Sequence, residues 1–259
     1  MKWIDLHVHA KLSKSLPFDE RFLIQNVSHA RRIGLDGIGL IEHMHGIDFW
    51  PMYDQLLSTF DYRDGVFRTD EGFPILSGAE LSIRGGADLL LFGTIAQLRS
   101  FDRALPVPAT GGYKPTLREA LELAQTQGIF VIGAHPLRPK KDLAKFDEDV
   151  LLQVNAFELN GKDFDRDDRV RAFATRLDRP IVAGSDAHFW PQVGIKQTGV
   201  QIDSITLASV MSAIASHRGD VRRLAYGPIA IRICKLYKKI AKSRALRRPG
   251  DATTSIAPI

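Results

Sequence analysis

Short apolar runs alternate with helix-like apolar repeats along most of the chain. Between the runs, apolar residues at spacings of three and four predict amphipathic helices. Thr116 and Glu119 have the spacing of a capping box, and Gly34 and Gly128 are placed to end helices. The runs predict strands at residues 3–8, 37–41, 75–83, 88–92, 129–134, 154–159 and 180–183, with helices near 22–33, 51–61, 116–127, 165–177 and 206–216.

Regular alternation of strand and helix is typical of an α/β fold with a parallel sheet. About seven strands over roughly 230 residues favour a (β/α)7 TIM-like barrel, and a doubly wound open sheet is the alternative. We assign residues 1–228 to this barrel domain. The pattern at residues 229–248 predicts a C-terminal basic amphipathic helix, with an apolar stripe at Ile229, Ile233, Leu236, Tyr237 and Ile240. Residues 249–259 are expected to be a disordered tail.

Charge is unevenly distributed along the chain. The net charge is +5, but residues 229–259 contain eight Lys or Arg and a single Asp, which leaves −2 for residues 1–228. The body is therefore unlike a basic nucleic-acid-binding surface. Three interpretations of the basic helix stay open: docking on the barrel with its basic face in water, which we favour, contact with an anionic membrane, or contact with nucleic acid.

The composition also bears on the compartment. A single cysteine, Cys234, excludes a disulfide framework. Asp5 and His7 interrupt the apolar start, so a signal peptide is not expected, and no run of about 20 apolar residues predicts a spanning helix. We expect a cytoplasmic protein, with the oligomeric state left open.

Histidines and carboxylates follow the predicted strands. His7 and His9 are two apart on one strand, so both imidazoles point to one face and can bind one cation, and Asp5 on the same face could orient an imidazole. In a β/α barrel the carboxyl ends of the strands meet at one mouth. The motifs are Asp5-Leu6-His7-Val8-His9, Glu42-His43, Gly78-Ala79-Glu80, Gly133-Ala134-His135-Pro136 and Gly184-Ser185-Asp186-Ala187-His188.

With Glu158-Leu159-Asn160-Gly161, these motifs resemble the PHP family, named for polymerase and histidinol phosphatase. The resemblance covers about residues 3–226. It implies a distorted seven-stranded β/α barrel that holds up to three Zn, Mn or Fe ions and hydrolyses phosphate esters. It also implies three sites: one metal on His7, His9, Glu80 and Asp186, a second shared by Glu80 and His135, and a third near His43 and His188.

Two positions depart from the family pattern. Lys14 and Ser15 stand where the family often has an Asp or His, and an ammonium has no lone pair for a metal. Lys14 would instead replace that metal's charge and hold a phosphate. Asp88 is the nearest candidate where the family frequently has a second-metal His. We therefore expect two or three divalent ions.

The leading hypothesis is a metal-dependent phosphoesterase acting on a small phosphate monoester or a nucleotide through a metal-bridging hydroxide. Glu80 would be essential to this chemistry, and His43 or His188 would protonate the leaving oxygen. The candidate substrate-binding residues are Arg138, Lys14, Arg84 and Asn160, beside Lys140, Lys141 and Lys162.

Three other functions remain open. A 3'/5' nuclease acting on oligonucleotides is favoured by the basic tail and disfavoured by the acidic body. A PHP-type protein-tyrosine phosphatase is suggested by the loose similarity of His135-Pro136-Leu137-Arg138-Pro139 to that branch. A non-catalytic PHP module that binds metal or a partner is suggested by Lys14 alone.

Overall fold

The computed structural model describes residues 1–246. Its strands are β1 (Lys2–Val8), β2 (Gly37–His43), β3 (Asp61–Arg63), β4 (Val66–Arg68), β5 (Pro74–Ile83), β6 (Ala87–Phe92), β7 (Phe130–Ala134), β8 (Leu137–Arg138), β9 (Lys141–Asp142), β10 (Ala156–Asn160), β11 (Ile181–Gly184), β12 (Lys196–Val200) and β13 (Gly219–Arg223). Its helices are α1 (Glu20–Arg32), α2 (Phe49–Thr59), α3 (Ile95–Ala104), α4 (Leu117–Thr126), α5 (Glu148–Leu151), α6 (Asp167–Arg176), α7 (Leu207–Ala215) and α8 (Gly227–Leu246).

Seven strands, each within a few residues of its predicted position, form most of a barrel in the order β11-β10-β7-β6-β5-β2-β1. The fold is therefore the α/β, TIM-like barrel that the sequence predicts. The sheet is not wholly parallel, however, because β6 runs antiparallel to both β5 and β7. The reason is the turn at 84–86: a connection this short can join only antiparallel neighbours, since a parallel pair needs a crossover.

The ring closes where the first and last of these strands meet. Val8 and Ala187 form a parallel bridge, and the His9 amide donates to the Ala187 carbonyl at 2.8 Å. Near the start of β1, the antiparallel strand β12 pairs with it, and the Thr198 hydroxyl is hydrogen-bonded to the backbone of Ala183 near the end of β11. We call the junction of β1 with β11 the seam.

The core lies in two layers. Alternate residues of the strands, including Leu6, Leu90 and Ile132, pack together inside the barrel. A larger apolar layer, which includes Leu23 of α1, Tyr53 of α2 and Leu98 of α3, fills the space between the sheet and its helices. The polar motifs are thus left at the carboxyl-terminal mouth.

Several elements differ from the sequence prediction. Strand β12 carries Lys196, Gln197 and Thr198, which are buried although they are polar, so no apolar alternation marked it. The hairpin of β3 and β4 and strand β13 were also missed, because each strand is short or largely exposed. Helix α3 was missed although Thr94 and Gln97 form a capping box at its start.

The predicted basic helix is present as α8, but it packs through a different face. Ala230, Ile231 and Cys234 are buried, near Ile195 and Phe164. Ile229, Ile233 and Leu236, members of the predicted apolar stripe, are exposed instead. The predicted tail at 249–259 lies outside the described residues, and the division at 228/229 stays a prediction. Within residues 1–246, no helix has the length and apolar content needed to cross a membrane.

Candidate metal centre

The carboxyl ends of the barrel strands bring the predicted ligands together. His7 lies in β1 and His9 directly follows it, while His43 ends β2 and Glu80 lies in the second half of β5. Asp88 lies near the start of β6, which reaches the same mouth with its amino-terminal end because it runs antiparallel to its neighbours, and His135 follows β7. Asp186 and His188 follow β11, across the seam from β1. All are buried except His43, whose side chain is 15% exposed.

Glu80 lies at the middle of this cluster. Its Oε2 is 2.7 Å from Nδ1 of His43, 3.6 Å from Nε2 of His9 and 3.9 Å from Nε2 of His7. Its Oε1 is 3.3 Å from Nε2 of His135. Burial would raise the pKa of Glu80, but these histidines hold it well below its usual value. One carboxylate therefore faces imidazoles from three other strands.

Three overlapping groups of ligand atoms have the spacing of a metal site. Within each group the atoms lie within 4.8 Å of one another. The groups are His7, His9 and Glu80; Glu80, Asp88 and His135; and His9, His43 and His188. The groups differ from the three predicted sites in two ways: none of them includes Asp186, and the third adds His9. Asp88 lies beside His135, whose Nε2 is 3.4 Å from the Asp88 carboxylate.

The cluster contains buried polar atoms that make no hydrogen bond. They include Nε2 of His7 and both ring nitrogens of His9, while Nδ1 of His43 and Oε2 of Glu80 lie 2.7 Å apart without the alignment of a hydrogen bond. Leaving such atoms unpaired in a protein interior is costly, so each calls for an explanation. Imidazole nitrogens and carboxylate oxygens are donors that suit Zn, Mn and Fe. The residues therefore fit divalent ions, and which of them bind an ion stays a prediction.

Glu158 orients one of these imidazoles, a role that sequence reasoning had considered for Asp5. Its Oε1 is 2.7 Å from Nδ1 of His7, which leaves Nε2 free to face Glu80. Burial alone would lower the pKa of His7, but the charges of Glu158 and Asp186 raise it well above 6.5. Asp5 instead accepts a backbone N–H bond from His7 on its own strand, and two more from Ser185 and Gly194 on the other side of the seam.

Glu42 was named in a predicted motif but given no role, and Lys11 was missed. Oε1 of Glu42 is 3.7 Å from Nδ1 of His9 and 4.0 Å from Nζ of Lys11. Lys11 is almost completely buried, and burial lowers its pKa. The position of Glu42 beside His43 was the available signal, whereas Lys11 lies in a loop after β1 with nothing in its surroundings to mark it.

Basic side chains surround the cluster at the mouth. The Arg138 guanidinium donates to Oδ2 of Asp186 at 3.1 Å, and Nζ of Lys162 is 2.6 Å from Oδ1 of the same residue. Lys141 pairs with Asp88. Burial would raise the pKa of Asp186, but Lys162 and His7 hold it well below its usual value. The site therefore offers positive charge to an anion.

The backbone is strained at two candidate ligands. His135 has a φ of 32° and Asp186 a φ of 56°, in the left-handed region that side chains other than glycine rarely adopt. Such strain costs of order 1–3 kcal/mol and persists only where the surroundings impose it. Here the His135 amide donates to Glu158 at 2.9 Å, and Lys162 and Arg138 hold the Asp186 carboxylate.

The remaining predicted residues lie at varying distances from the cluster. Lys14 is exposed, with Nζ 3.1 Å from Nε2 of His45, whose ring neighbours His43. Asn160 accepts from Arg138 at 2.8 Å and donates to Glu158 at 3.0 Å, so it positions other site residues. Arg84 is exposed in the β5–β6 turn and lines a cleft with Phe146. Substrate contact by these three residues stays a prediction.

A family model described as PHP-associated, PHP_C, matches residues 166–218. This match lies within the barrel that the structure shows. The match and the fold together support a relationship between this chain and the PHP domain family. A comparison with curated proteins finds no match.

Several solved structures share the fold of this chain. PsfC from Pseudomonas syringae PB-5123 is similar with a TM-score of 0.79 and 24% identity, over 93% of this chain and 98% of PsfC. Endonuclease Q from Pyrococcus furiosus, described as lesion-specific, is similar with a TM-score of 0.67 and 21% identity, over 83% of this chain and 56% of the endonuclease.

A two-domain protein from Bacteroides vulgatus ATCC 8482, described as containing a predicted PHP-like metal-dependent phosphoesterase, has a TM-score of 0.60 and 16% identity. That similarity covers 86% of this chain and 64% of the Bacteroides protein. The chain thus spans almost all of PsfC but little more than half of endonuclease Q.

Proposed function

We propose that this chain is a metal-dependent phosphoesterase that hydrolyses a small phosphate monoester or a nucleotide. The observation that carries the proposal is the centre itself, where unpaired imidazole nitrogens converge on Glu80 and basic side chains surround them. Imidazoles and carboxylates gathered at one barrel mouth suit a cluster of divalent ions, and the surrounding cations suit a phosphate.

The protein's own residues have separate parts in this reaction. His7, His9 and Glu80 would hold one ion together with Asp186, whose Oδ1 is 3.4 Å from Nε2 of His9. Glu80, Asp88 and His135 would hold a second, and His43 with His188 would hold a third. Bound ions would supply an activated water as nucleophile and neutralise charge on the phosphoryl oxygens. Glu158 fixes the His7 ring so that its Nε2 faces inward.

Arg138, Lys162 and Lys141 are placed to bind the phosphate. All three contact a candidate carboxylate ligand, and each is partly open at the mouth. Several cations around one oxyanion favour a dianionic monoester over a singly charged diester. His43 is the most open imidazole of the centre, so when only the first two ions are bound it is placed to give a proton to the leaving oxygen.

The test is turnover of 4-nitrophenyl phosphate and bis(4-nitrophenyl) phosphate with added manganese. We expect turnover of the monoester, its loss on chelation, and a fall of at least about 100-fold in kcat for Glu80→Gln. Glu122→Gln, at an exposed position on α4, is the matched control and should keep full activity. Monoester turnover that survives both chelation and Glu80→Gln would refute the proposal.

A nuclease is the second candidate, and one structural observation favours it. The exposed side chains of Arg232 and Lys235 belong to a basic segment that could track a phosphate backbone. Turnover of the diester and of oligonucleotides, without turnover of the monoester, would select this function. Silence with every ester while metal still binds would select the non-catalytic module.

A further inference from the structure

Helix α8 presents an apolar stripe to solvent. Ile229, Ile233 and Leu236 are 62%, 56% and 62% exposed, and Tyr226, just before the helix, is 40% exposed. Spacings of four and three place the three aliphatic residues on one face of the helix. Ala230, Ile231 and Cys234 already dock the opposite face on the barrel, so the stripe is not needed for that contact.

The stripe is accompanied by positive charge. Arg232 and Lys235 are exposed beside it, and the segment from residue 229 to the end of the chain carries +7 against −2 for the rest. A helix with exposed aliphatic side chains flanked by Lys and Arg has the two properties needed to lie in the surface of an anionic bilayer. Each basic residue near such a surface adds to the attraction.

We infer that α8 docks this protein on an anionic lipid membrane, with Ile229, Ile233 and Leu236 inserted between the headgroups. A second copy of the chain fits the stripe less well, because two segments of +7 would be brought face to face. Nucleic acid would use the cations but gives aliphatic side chains nothing to pack against, since its bases stack on aromatic rings.

Helix α8 also packs beside the candidate centre. The Tyr237 ring stacks on Phe189, with ring centroids 4.4 Å apart and an interplanar angle of 4°. Phe189 directly follows His188, so the helix packs on the segment that carries a candidate ligand. This contact holds α8 on the barrel through the side of the helix that does not carry the stripe.

The experiment measures sedimentation of the full-length chain with two kinds of vesicle. One is phosphatidylcholine alone, and the other contains about one quarter phosphatidylserine. We expect binding to the anionic vesicles only, weakened by high salt because the attraction between the charges is screened. The triple variant Ile229→Ser, Ile233→Ser and Leu236→Ser keeps every charge and should lower the partition coefficient at least about tenfold.

The matched control is Ile24→Ser, Leu57→Ser and Leu152→Ser, which removes three exposed aliphatic residues elsewhere. It should bind vesicles as the unmodified chain does, and circular dichroism should show all three proteins folded. Absence of binding to anionic vesicles overturns the inference, as does equal binding by the stripe variant. A dimer that the stripe variant dissociates, without vesicle binding, would show that a second copy covers the stripe and would also overturn it.

Discussion

At the scale of single residues, the centre depends on the residues that orient the candidate ligands as much as on the candidate ligands themselves. Glu158 accepts from His7 and from the His135 amide, and the Asn160 amide donates to it as well. The histidines themselves were predictable, because a barrel gathers the ends of its strands. The pairing of each carboxylate with a particular imidazole was not predictable, because it depends on strand order and on the exact register across the seam.

Glu158→Gln tests the orienting role. The amide keeps the shape of the side chain but removes its charge and turns a donor toward the two groups that now donate to Oε2. We expect metal affinity to fall by about 10–100-fold, measured by competition with a chromophoric chelator. Glu148→Gln, on exposed α5, should leave the affinity unchanged. Equal affinity in both variants would show that His7 does not need Glu158.

The raised pKa of His7 predicts a pH dependence of stability in protein stripped of metal. The folded state keeps a proton that the unfolded state loses near pH 6.5. The contribution of this group is therefore complete below pH 6.5 and is lost as pH rises through the higher folded value. Thermal unfolding in chelator should show Tm falling as pH rises through this range.

Added manganese should remove most of the fall in Tm with rising pH, because a bound ion takes the place of the proton on His7. His7→Gln, which has no imidazole to titrate, is the control and should show a flatter profile in chelator. A Tm in chelator that does not fall with rising pH would contradict the expected coupling.

At the scale of elements, seven strands and six helices were predictable from periodicity, and the capping box of α4 was predicted residue by residue. The missed strands β12 and β13 are stabilised by pairing with each other and with β1, which local sequence cannot reveal. The direction of β6 was available from the short turn at 84–86, but the regular alternation elsewhere in the chain outweighed it.

Gly184 at the end of β11 sets how closely the seam can pack. A Cβ at this position would lie 2.4 Å from Cβ of His7 and 2.9 Å from Oε1 of Glu158. Gly184→Ala should therefore push β1 and β11 apart, lowering the free energy of unfolding by about 1–3 kcal/mol. Metal affinity should fall with it, because His7 moves.

The control is Gly111→Ala, where a Cβ would meet only Val107 at an ordinary 3.4 Å. Denaturant unfolding and metal titration of both variants measure the difference. Unchanged stability in Gly184→Ala would mean that the strands at the seam can separate without cost.

At the scale of the whole molecule, the proposed division between barrel and helix can be tested by truncation. A chain of residues 1–228 should keep its metal content and ester turnover, because the described part of α8 contributes no ligand atom to the three candidate groups. It should lose about 2–4 kcal/mol of stability, since Ile231 and Ala230 no longer pack near Ile195.

That loss corresponds to a Tm lower by roughly 4–16 °C for a domain of this size. Thermal unfolding and elemental analysis of the two chains, side by side, measure the change. A truncated chain that purifies without metal would show that α8 belongs to the barrel domain.

The seam also imposes an order on synthesis. Asp5 and Ser185, hydrogen-bonded across it, are 180 residues apart, so the half of the centre on β1 leaves the ribosome well before the half that follows β11. A nascent chain that lacks β11 carries the imidazoles of His7 and His9 without the carboxylate of Asp186 to face them. On the proposed assignment, the complete ligand set for an ion therefore forms only after the final strand of the ring has docked, and a chain interrupted before β11 would lack it.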